Sequence, residues 1–463
     1  MQRIGFSGKQ AMMAAVIAGA LVLAVWSPAV LTLAQARILA VVLVTLGFWA
    51  SGVVPSYFAS LVLFAVVLVL GLAPADLVFA GFGSTAVWLI VSGFVIGAAI
   101  SASGLGRVLA QALAPVLDGS YARMIFGLTL VAMVLGFVMP SSVGRAVVLV
   151  PIGMALADRA GFAPGSNGRI GIAVTLAIAC NMPSFAILPA NIPNMVLSGA
   201  AETIYGTHFG YMGYLLLHYP VLGLAKSAVT AALVLRMFPA EVAAQKVADT
   251  KVTAPADRSA QLRVAAVLLL TLLLWMTDAL HGVNAAWVGL AAAVVLLSPG
   301  FGVVSPQAFK AAVDFGLLLF VVGALAVGAL VNASGLGALI GQGLQAVLPL
   351  HPGATAGNFA ALSLMSMLTG VLTTVPSVPS VLTPMAEGLS QASGFDLPAV
   401  LMTQVVGFST VLLPYQVAPL VVAMGLSGEK VGSLARVLLR LAAVTLLLLL
   451  PLDYLWWRLL GWI

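Results

Sequence analysis

Apolar runs of roughly 18 or more residues, separated by short polar stretches, cover the chain almost from end to end, and runs of that length predict transmembrane helices. We predict spans near residues 10–26, 36–54, 56–72, 86–112, 169–198, 209–236, 262–280, 284–299, 314–343, 397–426 and 431–461. The pattern therefore predicts an all-α polytopic membrane protein with about 11 transmembrane helices.

Two further apolar segments, 121–161 and 356–392, are interrupted near their middles and predict re-entrant helical hairpins. The interruptions are the polar stretches 139–145 and 372–377, and each lies shortly before a proline. Irregular backbone at membrane depth is tolerated only where it is buried in protein or lines a wet cavity. One such break in each half predicts a transporter site at the interface between two repeats.

The two halves of the chain are related in sequence. The string Ala-Ser-Gly-Leu-Gly at 102–106 recurs at 333–337, an offset of 231 residues. Ser184 and Ser409 correspond at an offset of 225, and the hairpin prolines at 233. The order is kept with small drifts, which indicates an internal repeat. We predict an N-terminal span in 1–35, a first repeat at 36–236, a polar cytoplasmic linker at 237–261 and a second repeat at 262–463.

Five spans and one hairpin in each repeat mean that the second copy is inverted in the membrane. With the N-terminus in the cytoplasm, most of the 19 Lys and Arg residues fall at or near cytoplasmic ends of spans. This orientation makes the C-terminus periplasmic and predicts a bacterial inner membrane protein. A signal peptide cleaved near 34–36 is the alternative for the first span, which we expect to be retained because that position lies far beyond the apolar stretch.

Composition excludes a soluble protein. Hydrophobic residues make up 62% of the chain and charged residues only 7%, whereas soluble domains carry about 25% charged residues. The net charge of +6 fits basic cytoplasmic loops, and we expect no nucleic-acid partner. Cys180 is the only cysteine, and a lone thiol in an apolar run implies neither a disulfide nor a metal site. We expect no cofactor.

The hairpin tips are candidate anion sites. The second helix of each hairpin begins at the break, where free N–H groups and the helix dipole attract anions. A plain helix-capping role for the serines and threonines is the alternative. The candidate ligands are Ser141, Ser142 and the Gly144 backbone at the first tip, and Thr373, Thr374 and Ser377 at the second.

Arg145, at the end of the first polar stretch, is the charged residue that most strongly suggests a function. A charge at this depth costs about 2.5–3.5 kcal/mol on insertion scales, so its presence suggests a function. Its planar fork suits a carboxylate, a sulfonate or sulfate. The alternative is an arginine bound to backbone carbonyls or extended to the cytoplasmic surface.

The stretches 184–194 and 409–419 each contain two prolines four or five residues apart. Each proline removes a backbone hydrogen bond, so both spans are predicted to be broken helices whose free carbonyls could bind a cation. Asn191, Asn194 and Gln416 could then face the substrate, and plain kinks are the alternative.

Four other polar side chains are weaker candidates for ion coupling. Lys226 and His218 lie within one span and are more typical of a buried pair or an interface. Asp278 and Glu387 are expected near the outer surface. A cation/proton antiporter would place an Asp or Glu pair near the broken helices, and the sequence shows no such pair there.

From about residue 36 onward, the chain resembles the divalent anion/Na+ symporter family within the broader ion transporter superfamily. The order of spans, the paired hairpins, the Ser-Gly-Leu-Gly strings and residues 82–90 carry the resemblance. It implies a homodimer in which a transport part slides like an elevator past a fixed scaffold part, carrying di- or tricarboxylates or sulfate.

In that family each hairpin tip bears Ser-Asn-Thr, which binds Na+ and substrate. The equivalent triplets here are Ser-Ser-Val at 141–143 and Thr-Val-Pro at 374–376, so both motifs are degenerate. One hypothesis is that the fixed charge of Arg145 replaces a bound cation. The residues implied at the two ion sites are Ser141, Ser142, Ala190, Thr374, Ser409 and Ala418.

The sequence thus predicts a secondary transporter of small organic or inorganic anions, such as a dicarboxylate, a sulfonate or sulfate. Coupling to Na+, to H+ or to a counter-anion stays open. A cation/proton antiporter of the same superfamily and a non-transporting membrane subunit are the alternatives. A membrane-embedded enzyme would need a catalytic carboxylate, histidine or metal set, which arginine with serines does not supply.

Overall fold

The structure is a computed structural model that describes residues 8–106, 108, 119–242, 257–345 and 348–463. Within them every regular element is a helix and no strand occurs. Ten helical segments there are long and apolar enough to cross a membrane, and four shorter apolar helices accompany them. The prediction of an all-α polytopic membrane protein is confirmed. The end of the span predicted at 86–112 and most of the predicted linker lie outside the described residues.

The first half of the chain folds into helices α1–α10. Polar side chains cap several of them: Thr32 and Gln35 form a capping box at the start of α2, and the Ser84 hydroxyl accepts from the Val87 N–H at the start of α5. The helices are α1 (Gly8–Val25), α2 (Leu33–Ser51), α3 (Ser56–Val69), α4 (Ala75–Phe79), α5 (Thr85–Ser103), α6 (Tyr121–Val138), α7 (Ser142–Arg159), α8 (Asn167–Ala179), α9 (Ile192–Tyr205) and α10 (Tyr211–Met237).

The second half folds into helices α11–α22, among which α11, α13–α15 and α17–α22 follow the order of α2–α10. Asp314 caps α15 by accepting a hydrogen bond of 2.9 Å from the Leu317 N–H. The helices are α11 (Arg258–Met276), α12 (Asp278–His281), α13 (Ala285–Leu297), α14 (Pro306–Ala312), α15 (Phe315–Ala333), α16 (Leu336–Gln345), α17 (Thr355–Leu372), α18 (Val378–Leu382), α19 (Ala386–Ser393), α20 (Leu397–Phe408), α21 (Ala418–Ser427) and α22 (Val431–Leu459).

Each half contains one helical hairpin and one broken helix. In the first half α6 and α7 form the hairpin, and α8 and α9 form the broken helix, with 3-10 turns between them. In the second half α17 pairs with α18 and α19, and α20 is separated from α21. The second arm of the second hairpin is divided by the 3-10 turns Val375–Ser377 and Thr383–Met385 because prolines at their starts fix φ and give no N–H.

The halves interlock, since equivalent helices pack on the opposite half. Helix α3 packs on α15, and its counterpart α13 packs on α5. In the same way, α7 of the first hairpin packs on α21, while α18 of the second hairpin packs on α9. Each broken helix therefore meets the hairpin of the other half as well as its own.

The repeated Ser-Gly-Leu-Gly string marks a matched pair of contacts between the halves. The Gln35 side chain of α2 donates to the Ser334 carbonyl at 2.9 Å, and the Gln261 side chain of α11 donates to the Ser103 carbonyl at 3.2 Å. The glycine after each serine has a φ of 75° or 69°. Such a left-handed residue favours glycine, which explains why the string is repeated at both helix ends.

Candidate functional site

Arg145 binds the first hairpin tip to the first broken helix. Its side chain is only 1% exposed. Nε donates to the Cys180 carbonyl at 2.9 Å, Nη2 donates to Ser142 Oγ at 2.9 Å, and Nη1 donates to the Met139 carbonyl. None of the ion pairs among the described residues involves Arg145. The guanidinium charge is therefore buried against carbonyl and hydroxyl oxygens without a carboxylate beside it.

A network of polar side chains continues from Ser142 into the first break. Ser142 Oγ lies 3.4 Å from Ser184 Oγ, and Ser184 Oγ donates to the Asn181 carbonyl at 2.5 Å. Asn191 Nδ2 donates to Ser184 Oγ at 3.0 Å, and Asn194 Nδ2 donates to the Ser184 and Ile187 carbonyls at 3.0 and 2.9 Å. These bonds satisfy backbone that the break leaves unpaired.

The start of α7 presents free backbone donors beside this network. Ser141 Oγ accepts from the Gly144 N–H at 3.0 Å, as an N-cap does. The N–H groups of Ser142 and Val143 donate to no described residue. Free N–H groups at a helix N-terminus attract an anion, and the helix dipole adds to the attraction.

A cavity of about 410 Å³ lies in front of the first tip and is formed by both halves of the chain. Its first-half wall includes Ser141, Ser142, Gly144, Ala190 and Asn191. Its second-half wall includes Asp314 and Leu317 at the start of α15, and Pro419 at the start of α21. A wall shared by both repeats is the position expected for a transporter site.

The second tip lies outside the lining of this cavity. Thr373 Oγ1 donates to the Thr369 carbonyl at 2.8 Å, and Thr374 Oγ1 lies 3.2 Å from Ser377 Oγ. Two prolines, at 376 and 379, remove N–H donors from the first turns of this arm. The second tip therefore offers an anion fewer backbone donors than the first.

The second break adjoins the second tip. Gln416 Oε1 accepts from the Leu412 and Leu413 N–H groups, each at 2.8 Å. The Tyr415 hydroxyl donates to the Val371 carbonyl at 2.6 Å. Gln416 therefore stabilises unwound backbone, and Tyr415 connects the break to the hairpin.

Ser409, directly after α20, accepts a hydrogen bond from a lysine of another span. Lys226 Nζ donates to the Ser409 carbonyl at 2.7 Å and lies 3.5 Å from Ser409 Oγ. The second break thus has a buried basic side chain on its carbonyl end, as the first has Arg145 on the Cys180 carbonyl.

The structure divides the predicted site residues into two groups. Ser141, Ser142, Gly144, Ala190 and Asn191 line one cavity, with Arg145 and Asn194 buried behind its wall. The remaining predicted residues do not line it and lie at the second tip and the second break: Thr373, Thr374, Ser377, Ser409, Gln416 and Ala418.

Asp314 and Asn181 are site residues that the sequence reasoning did not single out. Asp314 brings a carboxylate into the cavity wall, and Asn181 joins the network behind it. Asn181 directly follows an apolar helical run, and this position could have indicated a functional residue, because placing a polar side chain inside a membrane is energetically costly. Asp314 gave no signal, since a helix-capping aspartate near a span end is ordinary.

A second cavity, of about 540 Å³, lies elsewhere between α5, α9, α10 and α13. Glu202, His208 and Asp278 are among its lining residues, and none of the predicted ligands is. It is therefore not the predicted site.

Sequence comparisons with known proteins found matches over most of the chain. The family model CitMHS, described as a citrate transporter, matches residues 46–408. A Cupriavidus necator protein named "Membrane protein" is 27% identical, with 97% of this chain and 92% of that protein covered.

Two solved structures share the fold. The YdaH transporter of Alcanivorax borkumensis has a TM-score of 0.56 at 20% identity, with 84% of this chain and 88% of that chain covered. Neisseria gonorrhoeae MtrF, described within a class of antimetabolite efflux pumps, has a TM-score of 0.56 at 14% identity, with 82% and 81% covered. These two likenesses show the fold, and the match to the CitMHS family model bears out the ion transporter superfamily that the sequence predicts.

Proposed function

Because the chain belongs to the citrate transporter family CitMHS, we propose that it is a secondary transporter whose substrate is citrate or a related di- or tricarboxylate. Family membership makes it a multi-pass membrane transporter and not an enzyme. Sulfate and sulfonates are also negatively charged, as the carboxylates are, and are therefore tested beside them.

The uncompensated charge of Arg145 carries this proposal. An unpaired charge in a buried site is costly, and the cost falls when an opposite charge arrives. Arg145 is hydrogen-bonded to Ser142. Ser142 lines the cavity and is the first residue of α7. An anion placed there would meet the free N–H groups of α7 and neutralise the guanidinium behind them.

The proposed transport cycle is an elevator movement within a homodimer. The crossed packing of equivalent helices supports an inverted repeat, and an inverted repeat supports alternating access around a site between its halves. We propose a bacterial inner membrane location, with the N-terminus cytoplasmic and the C-terminus periplasmic. A basic side chain occupies a backbone carbonyl at each break, Arg145 at Cys180 and Lys226 at Ser409, which favours H+ coupling over Na+ coupling.

Uptake into liposomes by the purified protein tests the proposed function. Labelled citrate, succinate and sulfate are offered in both directions, since one protein of similar fold is described as an efflux pump. We expect saturable citrate or succinate exchange. Cation movement without anion movement would favour the antiporter alternative, and no solute movement at all would favour a non-transporting subunit.

Asp314→Asn is expected to lower the KM for free citrate about fivefold, because it removes a like charge from the cavity wall while asparagine still caps α15. The measurement is the initial rate of uptake at varied citrate concentration, with and without excess Mg²⁺. The Mg²⁺ condition is included because a Mg²⁺ ion chelated by citrate would interact favourably with the Asp314 carboxylate. The matched control is Asp76→Asn, an exposed aspartate in the first turn of α4. An unchanged KM in both conditions would show that the substrate does not approach Asp314.

A further inference from the structure

Lys226 is a buried basic residue whose side chain binds the second broken helix. Its side chain is 2% exposed, and it directly follows the π-helical turn Tyr219–Ala225 of α10. The ammonium group donates to the Ser409 carbonyl at 2.7 Å. Ser409 directly follows α20, so its carbonyl belongs to the helix end that carries partial negative charge.

The first break has the same arrangement with a different cation. Cys180 directly follows α8, and Arg145 Nε donates to its carbonyl at 2.9 Å. In broken-helix transporters, such helix ends and unwound carbonyls are where a coupling cation binds. Here a basic side chain binds the carbonyl at each of the two ends.

Asp453 supplies a carboxylate near Lys226. Its side chain is 0% exposed, and neither carboxylate oxygen has a hydrogen-bond partner among the described residues. The Trp457 N–H, one turn further along α22, is also without a partner there. The part of α22 that carries Asp453 packs against the π-helical turn that precedes Lys226, and no direct ion pair joins the two side chains.

The two residues occupy related places in the repeat. They are 227 residues apart, within the 225 to 233 range of offsets that relates the halves around the hairpins and breaks. A π-helical turn precedes each of them, Tyr219–Ala225 before Lys226 and Thr445–Leu449 before Asp453. These two turns pack together, so Lys226 and Asp453 lie on adjoining elements. Irregular turns of this kind are frequent at functional sites.

We propose that Asp453 and Lys226 form a proton-binding site that takes the place of a coupling metal cation at the second break. A proton from water binds the Asp453 carboxylate, and Lys226 then keeps its positive charge on the Ser409 carbonyl. When the proton leaves, the carboxylate attracts the ammonium away from that carbonyl. The charge at the break thereby depends on proton binding, which is what coupling requires.

Other titratable groups near the pair are the rival proton sites. The arginines on the elements packed against it are exposed or only half-buried, and Tyr219 and Tyr454 are half-buried. The buried ones are His218, Cys180, Tyr121, Tyr211 and Tyr214. Buried phenols and thiols stay neutral near neutral pH, so His218 is the rival to exclude.

The inference rests on the proposed transport function, and the first test therefore compares two modes of transport. Labelled citrate is followed in liposomes as net uptake driven by an inward proton gradient and as exchange without a gradient. In Asp453→Asn we expect the ratio of gradient-driven uptake to exchange to fall about tenfold for one pH unit of gradient. Asp453→Glu should retain gradient dependence, and His218→Gln should resemble wild type. Wild-type dependence on the gradient in Asp453→Asn, or its loss in His218→Gln instead, would overturn the proposal.

A second test does not require transport. Infrared difference spectra between alkaline and acidic buffer should show the band of a protonated carboxylic acid in wild type, reduced in Asp453→Asn. An unreduced band would also overturn the proposal. Absence of citrate movement by wild type together with this band would reject the proposed substrate but not the proton site.

The cation half of the site is tested with Lys226→Met, which frees the Ser409 carbonyl. We expect Na+ to raise the melting temperature of this variant and not that of wild type, because the open helix end accepts a cation. Arg236→Met, an exposed basic residue at the end of the same helix, is the matched control. Equal effects of Na+ on all three proteins would contradict replacement of a metal cation by Lys226.

Discussion

Arg145→Ala is expected to abolish anion uptake and to lower the free energy of unfolding by several kcal/mol. The substitution leaves the Met139 and Cys180 carbonyls and the Ser142 hydroxyl without their donor in a buried site. Each unsatisfied group costs about 1–3 kcal/mol. It also removes the positive charge that the bound anion neutralises. Uptake in liposomes and thermal unfolding in detergent measure the two effects.

Two further variants separate the effect of the Arg145 charge from the effect of its three hydrogen bonds. Arg145→Lys keeps the charge but cannot bridge three acceptors in one plane, so we expect partial uptake and intermediate stability. Arg159→Ala, at the exposed far end of the same helix, should behave as wild type. Uptake by Arg145→Ala that appears only with added Na+ would support replacement of a cation by this charge. Unchanged uptake without Na+ would remove Arg145 from the site.

The positions of the breaks could be predicted from the sequence because membrane-embedded chains contain few polar residues. A stretch such as 139–145 differs from its apolar surroundings, and prolines in 184–194 must interrupt a helix. The repeat could also be predicted, since the Ser-Gly-Leu-Gly string needs a left-handed glycine at each helix end.

The partners of the buried charges could not be predicted. Lys226 and Ser409 are 183 residues apart, and Arg145 and Cys180 are 35 apart. Helix faces in a membrane are apolar on the lipid side and on much of the protein side, so periodicity does not show which residues meet. The contribution of Asp314 to the cavity wall depends on packing between the halves, which the sequence pattern does not contain.

The two tips also differ in their backbone structure. Both were predicted as candidate anion sites, yet the first begins a regular α-helix while prolines divide the second arm into short pieces. The first tip has an arginine beside it, and the lysine on the second break comes from α10. We therefore propose that the anion binds chiefly at the first tip and that proton coupling occurs at the second break, where Lys226 of the first half meets Ser409 of the second.

Gly407→Ala is expected to lower stability by about 1–3 kcal/mol or more, because it overfills the contact between α17 and α20. A Cβ at Gly407 would collide with the Ser363 backbone carbonyl and lie 2.7 Å from Ser366 Oγ. The Ser366 hydroxyl donates to the Gln404 carbonyl at 2.7 Å, so this side chain cannot turn away without losing a buried bond. The helices must separate instead.

Separation of α20 from α17 should also reduce transport, since Gly407 lies two residues before Ser409 and its bond to Lys226. Thermal unfolding and citrate exchange are measured on the same preparation. Gly425→Ala is the matched control, because a Cβ there meets nothing within 4 Å and alanine is the better helix former. We expect Gly425→Ala to equal or exceed wild type in melting temperature while Gly407→Ala falls well below it. Equal melting temperatures for the two variants would mean that α17 and α20 are not in close contact at Gly407, and the position of the second break beside the second hairpin would then be wrong.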